Sequence, residues 1–346
     1  MPFFYKFLPL LFGIVLSGCN ENQFTDVISE NWVQEDEVCS DDTTDVTFKT
    51  VAYWSAADDT DEYLEDVDLD ALTHIIYRSI RVNADGSLNI SSDEIDDFEE
   101  FLDVVQDDQT VKVGISLGDG NDNNFNIIAE DSGTTNNFVN NVVDFLEDYD
   151  LNGVEINWQT IDDDDESDNL EELLDELNED LYEEGYFLSM TVTSGEDDSQ
   201  ADEVDNDLFD YVDFVNVMAF DLSDEDDLYY TLEDAEDSIE YWTDRCLIQN
   251  KLVLGVPFYS GGSAERSFNY IVEDDPDDGV YACKDKSEGR YYNGVETIMD
   301  KTNYALLYAG GIMIESLEHD AYESSEYSLL NIISETSNGD YVDICD

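Results

Sequence analysis

The segment at residues 152–159 reads Asn-Gly-Val-Glu-Ile-Asn-Trp-Gln and places one carboxylic acid and two carboxamides at every second position. Because side chains alternate along a β-strand, Glu155, Asn157 and Gln159 are predicted to share one face and Trp158 to lie on the other. A carboxylic acid can protonate a leaving group, whereas a carboxamide has no proton of useful acidity. The segment therefore predicts hydrogen bonding, and not acid catalysis, at the two amides.

This segment resembles the catalytic strand of the family 18 glycoside hydrolases, the chitinases and their relatives, which reads Asp-Gly-x-Asp-x-Asp-x-Glu. The resemblance implies that Gln159 stands in the place of the general acid and Asn157 in the place of the supporting Asp. Asn152 and Glu155 stand in the two earlier Asp positions. In that family the substrate's own N-acetyl group assists the reaction. The resemblance therefore implies a catalytic motif that has lost its proton donor.

Seven other segments resemble the remaining strands of the family's barrel, in the same order. Short apolar runs that alternate with helical patterns independently predict βα units around a parallel sheet. We therefore predict an α/β fold, a single-domain (β/α)8 TIM barrel over residues 47–346, with its site at the C-terminal ends of the strands. The loop before the last helical pattern is short, so no sizeable insertion domain is expected. The seven segments are residues 51–54, 72–77, 111–118, 187–192, 212–221, 251–259 and 310–320.

Two helical patterns flank the segment at 152–159. Phe138, Val142, Phe145 and Leu146 recur at helical spacing before it. After it, a second helix is predicted with Ser167 as its N-cap. Its apolar positions are Leu170, Leu173, Leu174, Leu177 and Leu181.

The resemblance also implies departures that affect sugar binding. Phe220 lacks the hydroxyl of the family's Tyr, which holds the N-acetyl oxygen. Glu315 replaces the Trp that forms the floor under the reacting sugar, and Asp119 replaces a Gly. Tyr291 and Tyr292 are further, more exposed candidates for contact with a sugar. The substrate-binding candidates are Tyr53, Trp54, Ser116, Phe220, Asp221, Tyr259 and Glu315.

Three functions remain open from the sequence. The first is a catalytically impaired protein that binds N-acetylglucosamine-containing glycans of the chitin or cell-wall type. The second is a scaffold or interaction protein that reuses the barrel. The third is an active glycosidase that cleaves β-1,4-linked N-acetylglucosamine through a relocated acid. Glu155, Asp119 and Asp221 are carboxylic acids near the expected site, but Glu315 is the preferred substitute.

The N-terminal residues resemble the leader of a bacterial lipoprotein. Lys6 precedes an apolar run at 7–16, and Leu-Ser-Gly-Cys ends at Cys19, the expected site of lipidation. An ordinary secretory leader is the alternative. We predict a signal peptide at 1–18, an acidic tether at 19–46 and a lipid anchor in the cell envelope, on the outer membrane. No other stretch is long and apolar enough to span a bilayer.

Four cysteines remain beyond the leader, and an even number in an exported chain predicts two disulfides with three possible pairings. We favour Cys246–Cys283 and Cys39–Cys345; free thiols are the alternative. The two histidines lie far from any cysteine pair, so we expect no metal site and no cofactor.

The chain carries 89 acidic and 12 basic residues, a formal net charge of −77. This charge excludes nucleic acid as an expected partner. Disorder is not expected, because 42% of the residues are apolar and they follow strand and helix periods. A solvated acidic shell of the salt-adapted type is predicted instead.

Overall fold

A computed structural model provides the structure of the protein. The chain divides into two compact units, Met1–Cys39 and Ser40–Asp346. The predicted signal peptide, Cys19 and most of the predicted tether lie outside the described residues. The structure describes residues 39, 47–55, 64, 67–106, 110–118, 123–158, 161, 163–195, 200–220, 230–261, 266–273, 280–287, 289–321, 325–340 and 344–345.

Eight parallel strands of the described residues form a closed barrel, as predicted. Their order is β1-β11-β8-β7-β6-β5-β4-β2, and pairing of β1 with β2 closes the ring. The two-residue β3 pairs antiparallel with the C-terminal end of β2. Strands β9 and β10 pair with each other as a separate antiparallel hairpin. The strands are β1 Lys49–Ser55, β2 His74–Val82, β3 Leu88–Asn89, β4 Lys112–Leu117, β5 Gly153–Ile156, β6 Phe187–Thr193, β7 Phe214–Met218, β8 Leu252–Pro257, β9 Lys286–Ser287, β10 Arg290–Tyr291 and β11 Gly311–Glu315.

Helices surround the barrel and cover the outer faces of its strands. Because both faces of the barrel strands are covered, the strands consist mostly of buried apolar residues. The α-helices of the described chain are α1 Ser92–Val105, α2 Asn123–Ala129, α3 Ser132–Asp148, α4 Asp164–Glu184, α5 Leu232–Asp244, α6 Phe268–Glu273, α7 Val295–Tyr308 and α8 Leu329–Ser337.

The helix after β5 begins earlier than the sequence predicted. Asp163 is its N-cap, and its carboxylate accepts a hydrogen bond from the backbone N–H of Glu166. Ser167 instead lies buried inside the first turn. The prediction of Ser167 as N-cap was therefore wrong, because the acidic residues before it also suit the positive end of a helix. The helix ends at Gly185, whose φ of 82° gives the left-handed C-cap that glycine favours.

The alternation predicted for β5 is confirmed by the packing on its outer side. The Trp158 ring stacks on Phe125 of α2, with 5.6 Å between the ring centroids, and it is 2% exposed. Tyr77 of β2 similarly packs against Phe98 and Phe101 of α1. These aromatic residues form the layer between the barrel and the helices.

The favoured disulfide pairing was wrong. Cys283 bonds to Cys345 across 62 residues of sequence. Cys39 and Cys246 are each disulfide-bonded as well. The segment between β8 and α7 holds only α6 and the β9–β10 hairpin among its described residues, which agrees with the absence of a sizeable insertion domain.

Candidate functional site

The centre of the barrel holds a buried polar network that includes one of the motif positions. Glu155 of β5 is 0% exposed. Its Oε2 accepts hydrogen bonds from the Tyr53 hydroxyl at 2.7 Å and from Asn216 Nδ2 at 2.5 Å. Asn216 Nδ2 also donates to the Tyr53 hydroxyl oxygen at 3.2 Å. We call these three side chains the interior network; it crosses the barrel from β1 to β5 and β7.

Burial sets the protonation of this network. It raises the pKa of Glu155, and the hydrogen bonds from Tyr53 and Asn216 act in the opposite direction. Burial also raises the pKa of Tyr53 well above its ordinary value, and the Glu155 carboxylate adds to this shift. Because Glu155 has no solvent-accessible surface, it has no access to a sugar in the cleft. The network therefore fixes the interior of the barrel and does not supply a catalytic acid.

Asn157 directly follows the end of β5, on the C-terminal side of the strands. It is 6% exposed, and its Oδ1 accepts a hydrogen bond from the Thr191 hydroxyl of β6 at 2.8 Å. A Cβ on Gly118 would lie 2.5 Å from the Asn157 carbonyl oxygen, so glycine is required at that end of β4. Gln159, Asp119 and Asp221 were also named from the sequence, and they lie outside the described residues.

Asn152, at the start of the motif, has a structural role. Its side-chain oxygen accepts a hydrogen bond from the backbone N–H of Val113 at 2.7 Å, and its backbone N–H donates to the Val113 carbonyl at 2.7 Å. These bonds tie the start of β5 to β4. The position lies at the end of the strand that is opposite to Asn157, so it is remote from the expected site.

An ion pair stands at the C-terminal rim of the barrel. Arg78 of β2 contacts Glu315 of β11, and we call these two residues the rim pair. The Arg78 guanidinium also lies 5.5 Å from the centroid of the Tyr53 ring, directly above the interior network. Glu315, the acid substitute expected from the sequence, therefore has the Arg78 guanidinium as its charge partner.

A carboxylic acid that the sequence reasoning missed lies beside the rim pair. Glu318 belongs to the short 3₁₀ turn Leu317–His319, which packs against β1. Burial raises its pKa to about 8, and the charge of Glu315 contributes to the shift. Within the described residues its Oε2 has no hydrogen-bond partner. Its place three residues beyond the eighth barrel strand was the available signal, since barrel sites form at strand C-termini.

Several predicted sugar-binding residues are buried in packing roles. Tyr53 and Trp54 are 1% and 0% exposed, so neither presents a ring to a ligand. Tyr53 points into the barrel, and alternation turns Trp54 outward to the helices. Ser116 of β4 is also completely buried. The sequence predicted the strand that carries Tyr53 and Trp54, but it did not show whether their rings lie in the core or in the cleft.

The remaining aromatic candidates divide between core and surface. Phe220 is buried and packs over Gly255, where a Cβ would lie 2.7 Å from its ring. Tyr292 is 1% exposed and donates its hydroxyl proton to the Tyr281 carbonyl, so the expectation that it is exposed was wrong. Tyr291 is half-buried beneath the Lys286 ammonium. Tyr259 is also half-buried and meets His319 edge-on at 5.8 Å.

A buried lysine holds the segments that lead into α5 and α7. Lys301 is 0% exposed, and its Nζ donates to the Tyr230 carbonyl and to Asn293 Oδ1, each at 2.7 Å. Burial lowers its pKa to about 7, and Asp234 and Asp285 oppose that shift. These bonds anchor the chain on the C-terminal side of the barrel.

Two further features of the described residues bear on function. No group of three or more His, Cys, Asp or Glu side chains among them is arranged to hold a metal ion. None of the described helices is both long enough and apolar enough to cross a membrane.

An eight-stranded parallel barrel surrounded by helices defines the (β/α)8 class of folds. The family model for glycosyl hydrolases family 18 matches residues 49–327, which is most of the chain. The chain therefore belongs to this chitinase-like family.

The chain is similar to several chitinases. Chitinase 1 of Aphanocladium album is 24% identical over 239 residues, which cover 56% of this chain and 56% of that protein. The chain thus spans about half the length of this curated relative. The structure of a chitinase from Bacteroides thetaiotaomicron matches with a TM-score of 0.74 and 23% sequence identity. The match covers 85% of this chain and 99% of the chitinase chain. A Glu-to-Gln mutant of a class V chitinase from Nicotiana tobaccum, in complex with NAG4, matches with a TM-score of 0.71 and 20% sequence identity. The match covers 84% of this chain and 99% of that chitinase chain.

Proposed function

We propose that this chain is a catalytically impaired, chitinase-like protein that binds N-acetylglucosamine-containing glycans. The proposal rests on one observation, the carboxamides of Asn157 and Gln159 at the two positions where the family has its supporting carboxylate and its acid. Loss of general acid catalysis lowers a rate by roughly 10²–10⁴-fold. Loss of charge stabilisation next to it costs on the order of a few kcal/mol more, although the two effects act on one step and do not add independently.

Two observations favour a retained glycan site over a bare scaffold. The amide of Asn157 accepts a hydrogen bond from the Thr191 hydroxyl inside the barrel, so a polar side chain is held at that position. The class V chitinase of the same fold was solved in complex with NAG4 as a Glu-to-Gln mutant. The scaffold alternative draws on Phe220 and Glu315, which lack the hydroxyl and the ring that the family uses for sugar contact.

A binding measurement tests the proposal. Calorimetric titration with the N-acetylglucosamine tetramer, in high salt to screen the acidic surface, is expected to show binding. The half-buried Tyr259 is the described aromatic at the site end of β8, and we expect Tyr259→Ala to weaken binding about tenfold. Tyr308→Ala removes an exposed tyrosine on α7 and serves as the matched control. If the unmodified protein binds neither this tetramer nor cell-wall glycans, the scaffold function takes the place of the proposed one.

A rescue variant tests the impaired chemistry directly. Gln159→Glu, Asn157→Asp and Phe220→Tyr together restore the family's groups at three positions. We expect this variant to release a chromophore from an N-acetylglucosamine glycoside faster than the parent chain does. Hydrolysis by the parent chain at an ordinary enzymatic rate would contradict the proposal.

Active hydrolysis is the second candidate function, and the state of Glu318 favours it. With a pKa of about 8, this carboxyl group holds a proton at neutral pH, as a general acid must. Glu315, the substitute expected from the sequence, is bound in the rim pair. If the parent chain shows residual turnover, Glu318→Gln is expected to abolish it. Loss of turnover in Glu315→Gln, with Glu318→Gln unaffected, would assign the acid to Glu315 instead.

We also propose that Cys19 is lipidated and anchors the protein to the bacterial outer membrane. The support is the apolar leader followed by Leu-Ser-Gly-Cys. Mass spectrometry of the N-terminal peptide is expected to show acylation of Cys19, and Cys19→Ala is expected to release the protein from membrane fractions. An unmodified Cys19 in membrane-derived protein contradicts this proposal.

A further inference from the structure

A cavity of about 660 Å³ lies at the end of the barrel that is opposite to the candidate site. Its wall includes residues at the starts of β1, β2 and β4 and in the turns before β7 and β8. Lys49, Lys112 and Lys251 all line it, and we call it the lysine cavity. Barrel enzymes carry their sites at the C-terminal ends of the strands, so this cavity is separate from that chemistry.

The three lysines are notable because cations are scarce in this chain. Only 12 basic residues stand against 89 acidic ones, and three of them line one cavity. None of these three lysines forms an ion pair within the described part of the chain. Two carboxylates, Asp210 and Asp213, line the cavity with them, so the lysines are in excess there.

The ammonium groups keep free donors. Lys49 Nζ donates to the Asn250 carbonyl at 2.9 Å, and Lys251 Nζ donates to the Phe209 carbonyl at 2.7 Å. Lys112 is exposed, and its Nζ has no hydrogen-bond partner among the described residues. Each ammonium has three N–H donors, so the cavity offers several that a ligand can use.

Mutual repulsion adds to the argument. Burial lowers the pKa of Lys49. Asp213 opposes this shift, whereas the charges of Lys112 and Lys251 add to it. His74, between Lys49 and Lys112 in the barrel register, has a pKa lowered to about 3 by burial and by the same two lysines. Asp210 and Asp213 likewise raise the pKa of Lys251, but burial keeps it lowered, so a further anion beside these ammonium groups would be favourable.

The carboxylates of the cavity are confined to one side. Asp210 and Asp213 both precede β7, and Asp213 Oδ2 accepts a hydrogen bond from the backbone N–H of Leu188. The lining residues at the starts of β1, β2 and β4 include no carboxylate. The starts of β1 and β4 therefore contribute Lys49 and Lys112 to the wall without a carboxylate from the same strands.

We propose that the lysine cavity binds a small polyvalent oxyanion, carried by a phosphate or by a compact polycarboxylate. Lysine acts as a point charge towards such groups, and the three lysines outnumber the two carboxylates, Asp210 and Asp213, that line the cavity. The proposal does not rest on glycan binding, since the two sites lie at opposite ends of the strands.

Calorimetric titration of the intact protein with inorganic phosphate and, separately, with citrate tests this inference at one fixed high ionic strength. Binding with a dissociation constant on the order of 1 mM is expected for at least one of the two probes, and the preferred probe identifies the source of the oxyanion. Lys112→Gln is expected to weaken that binding about tenfold, since it removes one charge-assisted donor. Lys112 is exposed, so this variant is expected to fold.

Lys284→Gln is the matched control because it removes the same charge from an exposed position that does not line the cavity. It is expected to bind the probe like the parent chain. If neither probe binds the parent chain, or if the control loses as much affinity as Lys112→Gln, the proposal is overturned. Tetramer binding measured on the same samples reports on the glycan site independently.

Discussion

At the C-terminal end of the barrel, several buried ionisable side chains of the described residues are held by partners. Arg78 and Glu315 pair at the rim, and the interior network holds Glu155 beneath them. Lys301 donates to two oxygens on the segments that enter α5 and α7. Burial of a charge is costly without such partners, so these side chains stabilise the architecture around the cleft.

At the N-terminal end, three lysines face the lysine cavity with at most one side-chain hydrogen bond each and no ion pair among the described residues. The comparison shows that the described polar side chains at the C-terminal end are bonded to one another, while the opposite end keeps three lysines without an ion pair among the described residues. The two ends should therefore respond differently to substitution.

Removal of the interior carboxylate is expected to have the largest effect. Glu155→Ala leaves the Tyr53 hydroxyl and the Asn216 amide without their acceptor and opens a cavity. We expect the free energy of unfolding to fall by about 3–5 kcal/mol, measured by urea denaturation in high salt. Glu155→Gln preserves the volume and should lose less. A loss below about 1 kcal/mol for Glu155→Ala would show that the network is not structural.

Lys301→Met is expected to destabilise the fold by about 2–4 kcal/mol at pH 9, because two buried oxygens lose their donor. The pH dependence provides a second test. The folded pKa of about 7 lies below the ordinary 10.5, so the contribution of this group is largest above 10.5 and is lost as the pH falls through 7. The parent chain should gain stability between pH 7 and pH 9 relative to the variant. Equal slopes in parent and variant would contradict the assignment.

Glu318→Gln is expected to stabilise the protein at alkaline pH. The folded pKa of about 8 lies above the ordinary 4.5, so the contribution of Glu318 is complete below 4.5 and is lost as the pH rises through 8. The neutral amide avoids that loss, and the variant should exceed the parent by roughly 1–3 kcal/mol near pH 9. Thermal unfolding at pH 5 and pH 9 checks the difference. A constant difference at both values would show that Glu318 does not titrate in this range.

Lys112→Gln is expected to change stability least, by less than about 0.5 kcal/mol, because this exposed lysine has no ion pair to lose. The same variant should lose oxyanion affinity. A marked fall in its thermal midpoint without any ligand would show that the lysine cavity is structural, as the other end is.

The barrel could be predicted from the sequence because eight apolar segments follow one another with helical patterns between them. The outer position of Trp158 followed from simple alternation along one strand. The start of α4 did not follow, since Asp163 and Ser167 both suit an N-cap and only tertiary packing separates them. The disulfide pairing was also beyond the sequence, because sequence distance does not give the distance between Cys283 and Cys345 in the fold.

Only part of the candidate site could be predicted from the sequence. The amides of the motif are visible in the sequence, and alternation placed Glu155 inside the barrel. Whether an inner residue reaches the cleft depends on its depth, and so Tyr53 was mistaken for a cleft residue. Glu318 was missed because its raised pKa depends on burial and on the nearby rim pair, which come from separate segments.

The Cys283–Cys345 bond joins the two ends of a segment that contains α7, β11 and α8. This segment supplies the strand that pairs with β1 and β8 to complete the barrel. A protease that cuts once between the two cysteines would therefore leave both fragments covalently linked. Such a nicked molecule should migrate as one species in a denaturing gel and separate into two pieces only after reduction.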